Sequence, residues 1–225
     1  MILGVVCARY RSQGHPGKAW APMCGLPVIE HAIEKAFDTR CDEIVTSHDI
    51  PRSEWSRAGV IQLGRPEHLT GPGIAKWDVW RWVLEQNPSA TMLVDIDVTR
   101  PLTLAEDVDA CIDRLEQLGP PVDMVMAIAQ GDKHPAFDIL ENHQYGVTLY
   151  SKLTDEKVAR QQLPPVYYHG GVYAVTAEAV RERDSLWSCL VKGHEIPLDR
   201  ARDIDTPTDW KIVEMLMAER YGVAV

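Results

Sequence analysis

The chain has 225 residues, 45% of them hydrophobic, and its 33 acidic against 23 basic side chains leave a formal net charge of −10. That length suits one α/β core rather than several, and an acidic chain without a basic stripe excludes nucleic acid as a partner, since binding a phosphate backbone draws on clustered Lys and Arg. No run approaches the roughly 18 apolar residues of a membrane span and no basic-then-apolar leader opens the chain, so a cytoplasmic protein with no membrane partner is expected.

Residues 2 to 7 form an apolar run that predicts a buried strand. Ala8-Arg9 ends it, and a turn through Ser12, Gly14, Pro16 and Gly17 reaches Lys18. Gly and Pro free the backbone to leave the strand and wrap an anion. Arg9, Arg11 and Lys18 locally reverse the sign of an acidic chain, as an anionic ligand requires. On these residues alone a solvated loop reads the same way. A Walker loop is excluded, because Ser12 stands where its first Gly belongs and Ala19 follows Lys18.

Val28, Ile29, His31, Ala32, Ile33, Ala36 and Phe37 space an apolar stripe at helical period over about 27 to 38, with His31 a packed residue of that face. A strand follows at 42 to 47 and a helix at about 76 to 86. In that helix Trp77, Trp80 and Trp82 predict a packed face or a subunit contact, with a nucleobase-stacking platform as the alternative. The strand expected at 91 to 96 carries Asp95 and ends beside Asp97, where open α/β sheets place their ligand crevice. An Asp at a strand end serves equally as a helix cap or a solvated corner. A helix over 104 to 117 and a strand over 122 to 129 come next.

Residues 131 to 168 break the rhythm, with Pro135, the turn signal Asn142-His143-Gln144-Tyr145-Gly146 and the stretch Gln161-Gln162-Leu163-Pro164-Pro165. A strand near 170 to 175, a short helix near 177 to 183 and a closing helix over 207 to 220 complete the chain. Before that last helix, Asp203 and Asp205 would face one side of an extended stretch. Two such carboxylates suit Mg²⁺, which takes one or two of them and fills its octahedron with water and phosphate oxygens. Thr206-Pro207 reads at the same time as the helix start. Strands alternating with amphipathic helices predict an α/β fold, a doubly wound, mostly parallel sheet within a single domain over 1 to 225. Cys7, Cys24, Cys41, Cys111 and Cys189 are scattered and include no Cys-x-x-Cys pair, so neither a disulfide framework nor a zinc site is expected.

Several stretches resemble, in order along the chain, the motifs of one enzyme family. Ala8, Arg9, Ser12, Gly14, Pro16 and Lys18 match the pattern Ala-Arg-Gly-Gly-Ser-Lys-Gly-x-Pro-x-Lys-Asn, from which Tyr10, Arg11, Gln13 and Ala19 depart. Arg65-Pro66-Glu67-His68-Leu69, with Lys76-Trp77 downstream, is similar to Arg-Pro-x-x-Leu and its sequel. Asp95, Asp97, Val98, Thr99, Pro101 and Leu102 match Asp-Leu-Asp-Val-Thr-Ser-Pro-Leu-Arg, with Arg100 and Thr103 as departures. His134-Pro135 is similar to a His-Pro-Tyr-Lys element, Arg160-Gln161-Gln162-Leu163-Pro164 to Arg-Gln-x-Leu-Pro, and Asp203-Ile204-Asp205-Thr206 to Asp-Ile-Asp-Thr. These are motifs of the CMP-sugar acid synthetases, the acylneuraminate cytidylyltransferase family, and the likeness is greatest to the legionaminic and pseudaminic acid branch.

The resemblance implies a Rossmann-like nucleotide-diphosphosugar transferase fold and transfer of CMP from CTP to a 2-keto-3-deoxy sugar acid, with release of pyrophosphate. It assigns catalysis to Arg9, Lys18 and Asp97, nucleotide binding to Ala8, Arg9, Ser12, Lys18 and Arg65, and Mg²⁺ to Asp203 and Asp205. Sugar binding falls to Asp97, Arg160, Gln161 and His169. A guanidinium at 160 offers a carboxylate a bidentate fork that a Lys lacks. Either His169 or Gly170 stands where the family has a substrate-contacting Asn. Residues 131 to 168 correspond to a β-rich arm that joins a homodimer. Two alternatives remain open here: a sugar-1-phosphate nucleotidyltransferase of the same fold, and a non-catalytic nucleotide-binding relic, to which Gln13, Ala19 and the shortened His169-Gly170-Gly171 stretch would point.

Overall fold

A computed structural model describes residues 1–9, 16–50, 55–71, 73–144, 146–151 and 159–223, with the side chain of Arg160 outside that description. The order of elements is β1 (Ile2–Cys7), β2 (Pro22–Met23), β3 (Leu26–Pro27), α1 (Val28–Phe37), β4 (Glu43–His48), β5 (Ile61–Gly64), α2 (Lys76–Gln86), β6 (Met92–Ile96), α3 (Ala105–Leu118), β7 (Met124–Gln130), β8 (Leu140–His143), β9 (Gly146–Leu149), β10 (Tyr167–Thr176), α4 (Ala177–Glu182), β11 (Val191–Glu195) and α5 (Pro207–Tyr221).

Seven strands form the central sheet in the order β11-β7-β10-β6-β1-β4-β5. Successive residues of a strand face opposite sides, and the burial follows that alternation. Leu3 and Val5 of β1 enter one core with α2 and α4, while Val6 enters the other with α1, α3 and α5. Helices therefore cover both faces. β1 pairs in parallel with β4 on one side and β6 on the other, so the chain reverses its direction of travel across the sheet at β1. Such a switch point opens a crevice beyond the carboxyl ends of the strands, and Ala8 and Asp97 stand at its rim.

The sheet is mixed. β10 runs antiparallel to both β6 and β7 and is broken by an irregularity in register between His169 and Tyr173. It begins at Tyr167, within the region read from sequence as an excursion, which otherwise contains the paired strands β8 and β9. Both edge strands, β5 and β11, escape the hydrophobic pattern because their side chains are only half buried or exposed. The closing helix starts as the sequence suggests: Thr206 Oγ1 accepts from Asp209 N at 3.2 Å, Asp209 Oδ2 accepts from Thr206 N at 2.7 Å, and Pro207 takes the first turn. Trp77 and Trp80 are buried in the α2 core, which supports the packed-face reading of that helix. Among the described residues no helix is long and apolar enough to cross a membrane.

Candidate active site

The crevice holds a cavity of about 270 Å³ whose walls include Ala8, Arg9, Lys18, Arg65, Lys76 and Asp97. These residues come from five separate stretches. Arg9 follows β1 and donates from Nη1 to the Gly71 carbonyl at 3.2 Å. Lys18 is buried and donates to the Ile204 carbonyl, with Asp205 Oδ1 at 3.4 Å. Arg65 follows β5 and donates from Nε to Ser47 Oγ at 3.2 Å and from Nη2 to Ser47 O at 2.9 Å. Asp205 also lines this cavity, with a side chain 72% exposed.

Beneath them lies an ionic cluster. Lys76 Nζ, from the first residue of α2, donates to Asp95 Oδ1 at 2.8 Å and to Asp97 Oδ2 at 2.9 Å. Trp80 Nε1 donates to the other oxygen of the fully buried Asp95 at 2.7 Å. Asp97 Oδ1 accepts from the Thr99 amide at 3.2 Å and its hydroxyl at 3.0 Å. Burial would lift the Asp97 carboxyl, but the Lys76 ammonium and these hydrogen bonds hold it well below the usual carboxylate range. For Asp95 burial wins and the shift is upward. Burial opposes the charge on Lys76, yet the two carboxylates push its titration well above the ordinary lysine value.

A second cavity, of about 450 Å³, adjoins the first at Asp205 and is lined by Arg100, Asp132, Tyr168, His169, Asp203 and Asp209 among others. Arg100 is almost fully buried. Its guanidinium donates from Nη1 to the Ala201 carbonyl and from Nη2 to Asp203 Oδ2 at 2.9 Å. Gly171 leaves room for it: φ is +78° there, and a Cβ on that residue would collide with Arg100 Cδ. His169 Nδ1 accepts from the Tyr173 hydroxyl at 3.0 Å and faces Arg100 Nη2 at 3.5 Å. A guanidinium can only donate, so with Arg100 facing Nδ1 the ring proton belongs on Nε2. Burial first, and then Arg100, lower the His169 titration, while burial raises that of Asp203 against the pull of Arg100. A Cβ on Gly170 would press within 2.9 Å of Ala127 and Ile196, so of the two residues left open by the sequence it is His169 that presents a side chain to the cavity.

Of the residues singled out from sequence, Ala8, Arg9, Lys18, Arg65, Asp97 and Asp205 share the first cavity, and His169, Asp203 and Asp205 share the second. Asp97, expected beside the sugar, lies in the wall that also carries Arg9 and Lys18. Gln161 is exposed on a short 3₁₀ turn and lines neither cavity. Ser12 and the Arg160 side chain fall outside the described residues. His31 and His134 are packing residues, bonded to the carbonyls of Met23 at 2.8 Å and Pro164 at 3.1 Å. The sequence reading gave no role to Lys76 or Arg100. The signals were there: a Lys opening a helix upstream of an Asp-x-Asp strand end, and an Arg standing where the motif has Ser.

The donor set fits a magnesium ion in its chemistry. Among the described residues no three His, Cys, Asp or Glu side chains gather into a metal cage, and Mg²⁺ needs none, since one or two carboxylates suffice beside phosphate and water. Asp205 offers an exposed carboxylate, and Asp203 Oδ1 is a buried oxygen with no close hydrogen-bond partner among the described residues.

No family model matches the chain. It is similar to the N-acylneuraminate cytidylyltransferase of Streptococcus agalactiae serotype V, with 23% identity over 213 residues, 92% of this chain and 51% of the relative. The chain thus spans about half the length of the first such relatives. It is also similar to the post-translational flagellin modification protein B of Campylobacter coli, 24% identical over 97% of this chain and 96% of that protein. A 3-deoxy-manno-octulosonate cytidylyltransferase of Chlamydia abortus is 27% identical over 90% and 79%. In fold it matches CMP:2-keto-3-deoxy-manno-octonic acid synthetase, solved with CTP, at a TM-score of 0.73 and 16% identity, over 97% of this chain and 99% of that one.

Proposed function

We propose that this chain, a relative in sequence and fold of the CMP-sugar acid synthetases, transfers CMP from CTP to the anomeric hydroxyl of a 2-keto-3-deoxy sugar acid, a nonulosonate such as sialic, legionaminic or pseudaminic acid, and releases pyrophosphate. The observation that carries this reading is the convergence of Arg9, Lys18, Arg65 and Asp205 on one cavity at the switch point of the sheet. Little covalent chemistry falls to the protein in such a transfer, so positioning and charge neutralisation dominate.

Arg9 and Lys18, with Ser12 and the backbone at Ala8, take the triphosphate, and Arg65, braced on Ser47, takes the nucleoside end. The sugar acid occupies the second cavity, with its carboxylate on Arg160 and its hydroxyls against His169 Nε2; Gln161, which lines neither cavity, takes no part. Asp97, held ionised by Lys76, accepts from the anomeric hydroxyl and orients it. The hydroxyl oxygen bonds to the α-phosphorus as its proton passes by way of the Asp97 carboxylate to solvent, the bond to the β-phosphate oxygen breaks, and the departing pyrophosphate is neutralised by Lys18 and Arg9. Mg²⁺ on Asp205, with Asp203 Oδ1 as a second donor, would supply further charge neutralisation at the phosphates. The exposed Leu140, Val147, Leu149 and Tyr150 of the β8–β9 region support a homodimer formed through residues 131 to 168. A cytoplasmic location goes with this reading, since CTP is available there.

The test is pyrophosphate release with Mg²⁺ and CTP across a panel of nonulosonic and octulosonic acids, with UTP, dTTP and GTP as controls. Release with CTP and one acid is expected. Release from UTP or dTTP with a sugar 1-phosphate would replace this reading, and no release from folded protein with any of them would remove it.

A further inference from the structure

The Lys76 cluster contains more order than a sugar-hydroxyl acceptor at Asp97 requires. Both oxygens of Asp95 and both of Asp97 are engaged, by Lys76, Trp80 and Thr99, and the one N–H of the Trp80 indole is spent on Asp95. An ammonium carries three N–H donors, of which Asp95 and Asp97 take two. Lys76 is therefore the member of the cluster with a donor to spare. Its Nζ stands 5.1 Å from the Tyr173 ring centroid, which backs it from the sheet side, and its side chain remains 34% exposed in the wall of the first cavity.

Burial alone does not account for this arrangement. A lysine serving only to neutralise Asp95 would be covered together with it, whereas Asp95 is fully buried and Lys76 keeps about a third of its side chain exposed in the cavity wall. The clamp also removes the usual cost of using a lysine, whose four-carbon stem must otherwise be frozen when it binds. Two carboxylates fix the ammonium at the mouth of β6 before any ligand arrives. It shares the cavity wall with Arg9, Lys18 and Arg65 against the carboxylates Asp97 and Asp205, and this surplus of cations suits an anionic ligand.

We propose that Lys76 is a ligand of the nucleotide's phosphate oxygens, pinned for that task by Asp95 and Asp97. This deepens the reading of the cavity as a CTP site and rests on it. Asp95 is then a positioning residue, acting through Lys76 and touching no substrate.

The test is calorimetric titration of the whole protein, in the presence of Mg²⁺, with CTP and separately with cytidine, which lacks phosphate. Lys76→Met alone strands two carboxylates and endangers the fold, so it is paired with the double variant Lys76→Met/Asp95→Asn, which keeps the cluster's net charge and leaves an oxygen for Trp80. The double variant is expected to melt as a folded protein and to lose affinity for CTP by about tenfold to a hundredfold, the range of a charge-assisted hydrogen bond, with cytidine affinity unchanged. CTP affinity equal to wild type makes Lys76 a structural counter-ion and overturns the inference, as does an equal loss for cytidine. Failure of the wild type to bind CTP at all would instead overturn the assignment of the cavity itself, and this inference with it.

Discussion

The two adjoining cavities carry opposite charge. The first is lined by four cations, Arg9, Lys18, Arg65 and Lys76, against the carboxylates Asp97 and Asp205. The second has two cations, Arg100 and Arg202, against Asp132, Asp203, Asp205 and Asp209. A surplus of positive charge at the first suits a triphosphate. The second is a poor home for an anion on its described walls alone, because the guanidinium of Arg100 is already committed to Asp203 and Ala201. It suits a polyhydroxyl body whose single carboxylate is met by a further cation, the role given to Arg160. The pair also differ in how they are built: the first sits on strand ends of the parallel half of the sheet, and the second on the irregular stretch of antiparallel β10 and the loop before α5.

Asp205 belongs to both cavities, and its removal is the sharpest way to test whether they work as one site. Asp205→Ala should lower kcat for pyrophosphate release on the order of a hundredfold or more, as loss of a charge-stabilising group in the transition state does. The melting temperature should stay close to wild type, because the side chain is largely exposed. Near-normal turnover at low magnesium would remove Asp205 from the mechanism. Arg160→Ala separates the cavities again. It should raise KM for the sugar acid by about tenfold to a hundredfold while KM for CTP stays put. A fall in CTP affinity with unchanged sugar KM would assign Arg160 to the first cavity.

Gly171→Ala acts on the second cavity alone. The new Cβ displaces Arg100 and sits on backbone at φ +78°, at a cost to stability of about 1–3 kcal/mol. Release of Asp203 from Arg100 should raise KM for the sugar acid with CTP binding unchanged, as read by calorimetry and steady-state kinetics. Equal weakening of both substrates would show that Arg100 braces the first cavity too.

The contrast extends to what the sequence discloses. The strand and helix before and after the first cavity announce themselves: β1 is apolar on both faces because it is covered on both, and Arg9 and Lys18 flank a turn whose composition speaks of anions. Lys76 does not, since it meets Asp95 and Asp97 only 19 and 21 residues further on, through the fold. Arg100 is harder still, with its carboxylate 103 residues away and its place secured by a glycine on another strand. Nothing local marks β10 as antiparallel. Its second half, Val172 to Val175, is buried and mostly apolar like β6 and β7 beside it, and direction is decided by the path of the chain. The edge strands β5 and β11 hide for a different reason, because half-buried strands need little apolar surface.

The turn from Asp97 to Thr103 joins the cavities, facing Asp97 to one and Arg100 to the other, and α1 holds it from below. Lys35 Nζ donates to the Arg100 carbonyl at 3.2 Å and to the Thr103 hydroxyl, and it is buried. Burial lowers its titration from the ordinary 10.5 to about 7, with Asp107 pulling weakly the other way. Between those values the unfolded chain holds a proton that the folded chain does not, so stability rises with pH across the window. Above about pH 9 the trend is opposed, because the half-buried Cys7 and Cys41 and the buried Cys111 keep their protons when folded and lose them when unfolded. Denaturant unfolding between pH 7 and about 8.5 should therefore show a positive slope in wild type that Lys35→Met flattens. CTP and sugar KM should change together in that variant, because a loosened turn moves Asp97 and Arg100 alike. A slope that survives the substitution would place the titrating group elsewhere, and a change confined to one substrate would show that the two ends of the turn are held independently.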